Sequence, residues 1–401
     1  MTKCLPRRLV AGPLPSAHQN PMKPVYLDYN ATTPLAPPAL EAMLPYLRDH
    51  YGNPSSFHSR GARAKKGLEE AREVVAGHLR ARPQEIVFTG GGSEAINLAI
   101  KGLLSTSQKP AHILSCVTEH KAVLETLNHL RKESQTLVTL LPVDAEGQID
   151  LDQLRAEIRK ETVLLAFMWA NNETGVLHPI HKIGEIARGH KIPFFCDAVQ
   201  AVGKIPIHLD TLPVDLMAFS AHKFYGPKGM GGLYVGRERF LPPLVHGGHQ
   251  ERGYRGGTEN VAGAVGMAAA LGWVKDQMGR NQASLKAMRD RLATEIRERI
   301  SRVKIHAEKA DRLVNTLNVS FLDLEGQSLL MAMDQEGICV SQGAACASGA
   351  IDPSPILLAM GLSPEEAKAS VRISLGYMTR SQEIDFFLDV LPGIVKKIRE
   401  G

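Results

Sequence analysis

The chain has 401 residues, 44% apolar and 22% charged, with a formal net charge of +5. That length buries a large core and exceeds an ordinary single domain, so two domains are expected. No apolar run approaches the ~20 residues of a membrane helix, and a mild positive charge spread over this length does not by itself point to nucleic acid, though an acidic or RNA partner stays open. The five cysteines (Cys4, Cys116, Cys196, Cys339, Cys346) are odd in number and form no C-x-x-C pair. A disulfide framework is therefore not expected, a reducing compartment fits, and one thiol is free to be reactive.

Residues 1–24 carry Lys3, Arg7, Arg8 and Lys23 with no acid, and five prolines. A mitochondrial presequence shares that charge bias but must form an amphipathic helix, which Pro6, Pro13 and Pro15 oppose. No stretch there is apolar enough for a secretory signal, so the segment reads as a disordered extension. Met22-Lys23-Pro24-Val25-Tyr26 makes a sensible start for the fold. Strand-like runs follow at Glu85–Thr89, Ile113–Cys116, Leu137–Val143, Val163–Ala170, Pro193–Asp197, Leu216–Ser220 and Gly232–Val235. Helix-like segments lie between several of them, at Ser93–Leu104, His120–Lys132 and Ile180–Gly189. The alternation predicts an α/β fold with a mainly parallel sheet and helices on both faces, where ligands bind beyond the carboxyl ends of the strands. After about residue 275 the pattern changes: a charged amphipathic helix over Ser284–Ile300, a strand over Asn315–Phe321, a helix from Gln327 and a strand over Ile338–Val340. We read 25–275 as the large domain and 276–401, joined by the first strand near residue 25, as a smaller α+β domain.

Ser220-Ala221-His222-Lys223 follows the apolar run Leu216–Ser220 and precedes a glycine-rich turn. A lysine after a strand is ordinarily a solvated turn residue. Held at the end of a buried strand, its ammonium is partly desolvated, which lowers its pKa and frees an amine to condense with an aldehyde. Pyridoxal phosphate (PLP) needs such an amine, an anion site beside it and an acid for its ring nitrogen. Asp197 ends another apolar run, and Gly90-Gly91-Gly92-Ser93-Glu94 links a strand to a helix whose N-terminal N–H groups suit a phosphate. No Gly-Lys-Ser/Thr follows, so this is not a Walker loop. His120 starts a helix after a strand, and Asn172 alone reads as a turn residue. Arg372 interrupts the apolar strand Ser370–Ser374, a costly place for a guanidinium unless it meets an anion. Cys346 lies in the small-residue stretch Ser341–Ala350, which reads as a mobile loop rather than as the burial site of a lone cysteine. His246, His249 and Glu251 lack the spacing of a zinc motif, and no metal is expected.

These residues belong to a longer series: Tyr26-Leu27-Asp28-Tyr29-Asn30-Ala31-Thr32-Thr33-Pro34, Gly52-Asn53-Pro54-Ser55-Ser56, Thr118-Glu119-His120-Lys121-Ala122-Val123, Asn171-Asn172-Glu173-Thr174-Gly175, Asp197-Ala198-Val199-Gln200, the Ser220–Lys223 segment, His246-Gly247-Gly248, Arg255-Gly256-Gly257-Thr258 and Gly343-Ala344-Ala345-Cys346. In that order, from about residue 25 to about 380, they resemble the PLP-dependent cysteine desulfurases that supply sulfur for iron–sulfur clusters, within the class V aminotransferases. The resemblance implies the type I PLP-transferase fold and a homodimer. It implies that Lys223 carries PLP, that Asp197 pairs the ring nitrogen, and that His120 stacks on the ring and shuttles protons. Gln200 would hydrogen-bond the ring oxygen, and Asn172 that oxygen or the substrate carboxylate. Gly92, Ser93, Ser220 and His222 would contact the phosphate, with Thr258 reaching over from the other subunit. Arg372 would take the α-carboxylate of L-cysteine. Cys346 would become a persulfide, hand its sulfur to a scaffold or tRNA-thiolation enzyme, and hold a transient iron–sulfur cluster. Ser93 stands where the family usually has threonine, which keeps the hydroxyl. Ala344 and Gln342 stand where its cluster-building branch usually has serines, which bears on loop dynamics and partner choice.

We therefore read the chain as a cysteine desulfurase of the cytoplasm, ahead of the mitochondrion, making alanine and a Cys346 persulfide. A selenocysteine lyase or another class V aminotransferase is the alternative among enzymes. A catalytically silent paralogue acting as a binding partner is the alternative of another class, and intact Lys223, Asp197, His120, Arg372 and Cys346 argue against it.

Overall fold

A computed structural model describes residues 24–107, 110–134, 136–236, 239–342 and 352–400. Its strands in chain order are β1 (Val25–Tyr26), β2 (Ile86–Thr89), β3 (His112–Cys116), β4 (Leu137–Leu141), β5 (Thr162–Met168), β6 (Phe194–Asp197), β7 (Leu216–Ser220), β8 (Gly231–Val235), β9 (Val303–Ile305), β10 (Thr316–Phe321), β11 (Ile338–Cys339) and β12 (Ser370–Ser374). The strand-like runs of the first part of the sequence agree with these within two residues.

Seven strands form the large sheet in the order β2-β8-β7-β6-β5-β3-β4. All run parallel except β8, which lies antiparallel between β2 and β7. Strands β2, β3, β6, β7 and β8 are buried along their whole length, as expected when helices cover both faces. The pleat divides their side chains between two apolar layers. Phe194, Cys196, Met217 and Phe219 enter one; Phe195, Leu216 and Ala218 enter the other.

A second core gathers Leu27, Leu285, Leu292, Val319, Phe321, Ile373, Phe387 and Leu391 around the antiparallel sheet β12-β10-β9. The N-terminal strand belongs here, because β1 pairs in parallel with β11 and Leu27 O accepts from the Ser374 N–H at 2.8 Å. One 39-residue helix, Val261–Arg299, spans both cores: Val261, Met267 and Leu271 pack on the first, Leu285, Leu292 and Ile296 on the second. From sequence only its last part, Ser284–Ile300, reads as a helix. The first half is alanine-rich and buried on nearly all sides, so it lacks an amphipathic period, and Gly263, Gly266, Gly272 and Gly279 read as breakers. The boundary drawn at 275/276 falls inside this helix.

Glu251 folds inward to bind fully buried Arg72 from the helix Ser59–Leu79. The guanidinium gives Nη1 to Oε2 at 2.7 Å and Nη2 to Oε1 at 2.8 Å, while Phe88 N–H of β2 donates to Oε2 at 2.8 Å. Nη1 also donates to Ile86 O at 2.9 Å. The pair pins the segment 246–258 to the large sheet and holds Glu251 and Arg252 at left-handed φ values of 45° and 55°. Removing Glu251 leaves the buried guanidinium with only the half-exposed Glu69, whose Oε2 receives Nε at 3.1 Å, as its charged partner. Glu251→Ala is therefore expected to lose about 3–5 kcal/mol in urea unfolding, and Arg72→Leu/Glu251→Leu to regain much of that loss. A Glu251→Ala protein with an unchanged midpoint contradicts the pairing.

Candidate active site

The carboxyl ends of β2, β3, β5, β6 and β7 converge on a cavity of about 350 Å³. Each strand delivers its functional residue in the next turn: Gly92 and Ser93 after β2, His120 after β3, Asn172 after β5, Asp197 at the end of β6, and Ser220, His222 and Lys223 at the end of β7. Gln200 enters from the turn after β6, and Arg372 from β12 of the second core.

Lys223 ends a short 3-10 turn over Ala221–Lys223. Its Nζ donates to the carbonyls of Asn30 and Ala31, both at 2.7 Å. Burial pushes the amine down to about 8; the positive charge of Arg372 assists, and Asp28 and Asp197 oppose. Asp197 is 3% exposed, and burial raises its carboxyl. The Val199 N–H donating to Oδ1 at 3.0 Å counters that rise, as do His120 and Lys223. His120 caps the helix Lys121–Glu133 by accepting the Ala122 N–H on Nδ1 at 3.1 Å. In the neutral ring the hydrogen is then on Nε2. Burial lowers its pKa, Asp197 opposing.

Gly91, at φ 153° and ψ 178°, caps the helix Gly92–Ser105 without a side-chain acceptor, so the first N–H groups of that helix remain available to an anion. That backbone region is essentially closed to other residues. A Cβ at Gly92 meets Val199 Cγ2 at 2.8 Å, so the close approach requires glycine. Both Glu94 carboxylate oxygens are engaged: Oε2 accepts the Gly90 N–H at 2.9 Å and Oε1 pairs with Arg255 Nε at 3.0 Å. Lys228 and Thr32 rim an adjoining hollow of about 460 Å³ that shares Gly92, Ser93, Ser220 and His222 with the main cavity. His222 Nδ1 lies 3.2 Å from Thr32 Oγ1, and burial pushes its ring down to about 4, with Lys223 and Lys228 adding to the shift.

Buried Arg372 donates from Nη2 to Asp28 Oδ1 at 2.7 Å and from Nη1 to Asn172 O at 3.0 Å. Asp28 Oδ2 accepts from Ser341 Oγ at 2.7 Å. Three buried polar atoms of this cavity's walls have no partner: Arg372 Nε, Asn172 Oδ1 and Gln342 Oε1. One donor and two acceptors are thus spare among the cavity's wall residues. The donor set fits PLP: an amine of lowered basicity, a buried carboxylate for a protonated ring nitrogen, an amide at Gln200 and a glycine-opened helix N-terminus.

Thr258 does not line this cavity; it faces a separate hollow of about 140 Å³ with Phe88, Gly229 and Glu251. Cys346 lies outside the described residues. The chain is described up to Gln342, whose side chain lines the cavity and donates from Nε2 to Lys368 O, and again from Asp352. The sequence reading misses Asp28, Asn30, Lys204 and Ser341. Asp28 and Asn30 sit in a strand-like stretch where nothing tells which side chains face a cleft, and Lys204 looks like a lysine of a solvated Gly-Lys turn.

Rebinding of PLP to the cofactor-stripped protein tests the lowered basicity of Lys223. Below about pH 8 the amine is protonated, and above it is free. The initial rate should therefore rise with pH and reach half its plateau near 8, well below the usual lysine value of 10.5. A midpoint near 10.5 refutes it.

The Aminotransferase class-V family model matches residues 25–387. Cysteine desulfurase IscS of Dictyoglomus turgidum is 45% identical over 376 residues, covering 94% of this chain and 95% of that protein. A cysteine desulfurase of Cereibacter sphaeroides is 42% identical over 379 residues, covering 94% and 97%. Among solved structures, a NifS-like protein superposes with a TM-score of 0.88 at 36% identity, covering 93% of this chain and all of that one. SspA in complex with cysteine gives a TM-score of 0.78 at 37% identity, covering 87% and 98%. With the strand-end lysine, the buried aspartate and a family match over nearly its whole length, the chain belongs to the class V aminotransferases.

Proposed function

We propose that Lys223, Asp197, His120, Arg372 and Cys346 together carry out the removal of sulfur from L-cysteine. The chain is a PLP-dependent cysteine desulfurase, an assignment supported by 45% identity to proteins of that activity over 94% of its length. The observation that carries the residue roles is the meeting, in one cavity, of a lysine of depressed basicity and a buried aspartate at adjacent strand ends. When bound, PLP supplies the electron sink that stabilises negative charge at the substrate Cα.

The protein's part begins with binding. The amide of Gln200 is the donor for the ring oxygen, Asp197 keeps a proton on the ring nitrogen, and Gly92, Ser93, Ser220 and His222 hold the phosphate. The partner subunit's Thr258 completes that cradle in a homodimer. Arg372, oriented by Asp28, offers its free Nε to the α-carboxylate, and Asn172 Oδ1 accepts from the substrate or its neighbours. The Lys223 amine takes the Cα proton, a role suited to a base whose pKa is near the working pH. His120 stands over the cavity to relay protons. Cys346 attacks the substrate sulfur as a thiolate. An S–S bond forms as the Cβ–S bond breaks, the bonding pair stays with carbon, and protonation gives alanine. The Cys346 persulfide then passes its sulfur to a scaffold or a tRNA-thiolation enzyme, in the cytoplasm. No helix among the described residues is long and apolar enough to cross a membrane.

Lys223→Ala should lose both the visible band of the bound cofactor and all turnover. Cys346→Ser should keep the band and its response to cysteine yet form no persulfide by mass spectrometry. Persulfide mapped to Cys116, Cys196 or Cys339 instead rejects the assignment of Cys346, and alanine released at the native rate without Cys346 points to a lyase.

Arg372→Ala removes a charged partner worth about 1.5–3 kcal/mol. The Michaelis constant for cysteine should rise roughly 10- to 100-fold by that energy, with a smaller change in PLP affinity. Unchanged cysteine kinetics would make Arg372 a purely structural partner of Asp28.

A further inference from the structure

Lys204 follows Gly203 in the turn after Asp197–Val202, and Gly203 has a φ of 79° that lets the chain double back. The lysine head is enclosed and donates to Gln200 Oε1 and, at 2.7 Å, to Asn30 Oδ1. Burial lowers its pKa well below the ordinary value, with Lys223 and Arg372 adding to the effect. In either protonation state the amine has at least two N–H bonds, enough for the two oxygens facing it.

An amide side chain has two faces, and a donor on one side decides which atom is left for the other. With Oε1 committed to Lys204, the Gln200 NH2 group must point the opposite way, toward the cavity. There Nε2 donates to Asn30 O at 2.9 Å, the same carbonyl that receives the Lys223 amine at 2.7 Å. With Oδ1 committed, Asn30 Nδ2 turns to Asn172 O at 3.2 Å and Thr316 Oγ1 at 2.9 Å. One amine thus acts on the sense of both amides, joined at Asn30 Oδ1 by Asn315 Nδ2 at 3.3 Å, beside the carbonyl that receives Lys223. Without it, only the Asn30 carbonyl opposes a turn of the Gln200 amide that would present oxygen where a donor is required.

We propose that Lys204 is a positioning residue: it locks the Gln200 amide as a hydrogen-bond donor toward the ring oxygen of the cofactor, and steadies Asn30 beneath the reactive lysine. The proposal rests on the reading that Gln200 faces that oxygen. A donor withdrawn from the oxygen leaves more negative charge there, which holds the proton on the neighbouring Lys223 nitrogen more tightly. The pH midpoint of the visible band, recorded without substrate, therefore moves up.

The experiment is a spectral pH titration of the holoenzyme for the native protein, Lys204→Met, Gln200→Ala and the double variant. Losing a hydrogen bond to a charged atom corresponds to a shift on the order of one pH unit. Lys204→Met and Gln200→Ala should each raise the midpoint by about that much, and the double variant should match Gln200→Ala. Lys204→Gln restores an N–H donor without the charge and should return the midpoint toward the native value, a comparison that also serves if Lys204→Met does not fold. The substitutions leave Arg372, Asp28, Asp197, His120 and His222 around Lys223 in place. Shifts that add in the double variant, or a Lys204→Gln midpoint as high as that of Lys204→Met, overturn the proposal in favour of a plain charge effect. A midpoint unmoved by Lys204→Met overturns it outright. A midpoint unmoved by Gln200→Ala removes the reading on which it rests, and the proposal falls with it.

Discussion

An amine loses basicity when it is kept from water, and the walls that do this for Lys223 come from opposite parts of the chain. Strand β7 brings the lysine to the end of the large sheet. The carbonyls of Asn30 and Ala31, which receive its hydrogens, follow β1, a strand paired in the second core. The junction is sewn on both sides. Thr33 N–H donates to His222 O at 2.9 Å and its hydroxyl accepts the Tyr225 N–H at 2.8 Å, while Asn30 N–H donates to Ser374 Oγ at 2.9 Å. Basicity at Lys223 is therefore a property of the contact between two cores rather than of the local sequence. The long helix Val261–Arg299, embedded in both, limits how far that contact can open.

Charge in the cavity is arranged by the same logic. Arg372 is buried, and a bare guanidinium there is costly. Asp28 offsets that cost from the β1 side, leaving Nε as the donor without a partner. A carboxylate arriving at Arg372 thus meets a cation already oriented, at an edge that Asp28 does not use. The positive charge also helps to depress Lys223, so a carboxylate held at Arg372 would alter the field felt by that amine.

The large sheet was legible because its strands are short apolar runs separated by helical patterns, and a parallel sheet covered on both faces leaves that signature. The strand-end residues Lys223, Asp197 and His120 were legible for the same reason, since their neighbours mark where each strand stops. The helices Pro37–Arg48 and Ser59–Leu79 were missed, and Val261–Arg299 was halved. Small residues and glycines in a helix packed on several sides erase the 3.6-residue period that identifies a surface helix. Asp28, Asn30, Lys204 and Ser341 were illegible for another reason. Their importance lies in partners hundreds of positions away, such as Asp28 with Arg372 and Ser341, and no local pattern encodes a long-range pair.

Strain supplies the last element of the arrangement. Tyr225, two residues after Lys223, is buried at a left-handed φ of 65°, an unfavourable conformation for an aromatic residue. The fold over-determines it: the N–H is held by Thr33, the hydroxyl accepts the Tyr377 N–H at 2.6 Å, and the ring packs against Trp273 with centroids 4.8 Å apart. Gly376 makes room, since a Cβ there meets Tyr29 Cδ1 at 2.1 Å and the Tyr225 hydroxyl at 2.6 Å. Thr33, Trp273 and Tyr377 belong respectively to the N-terminal segment, the long helix and the turn after β12. The sharp turn after Lys223 is thus held from the N-terminal segment, the long helix and the turn after β12.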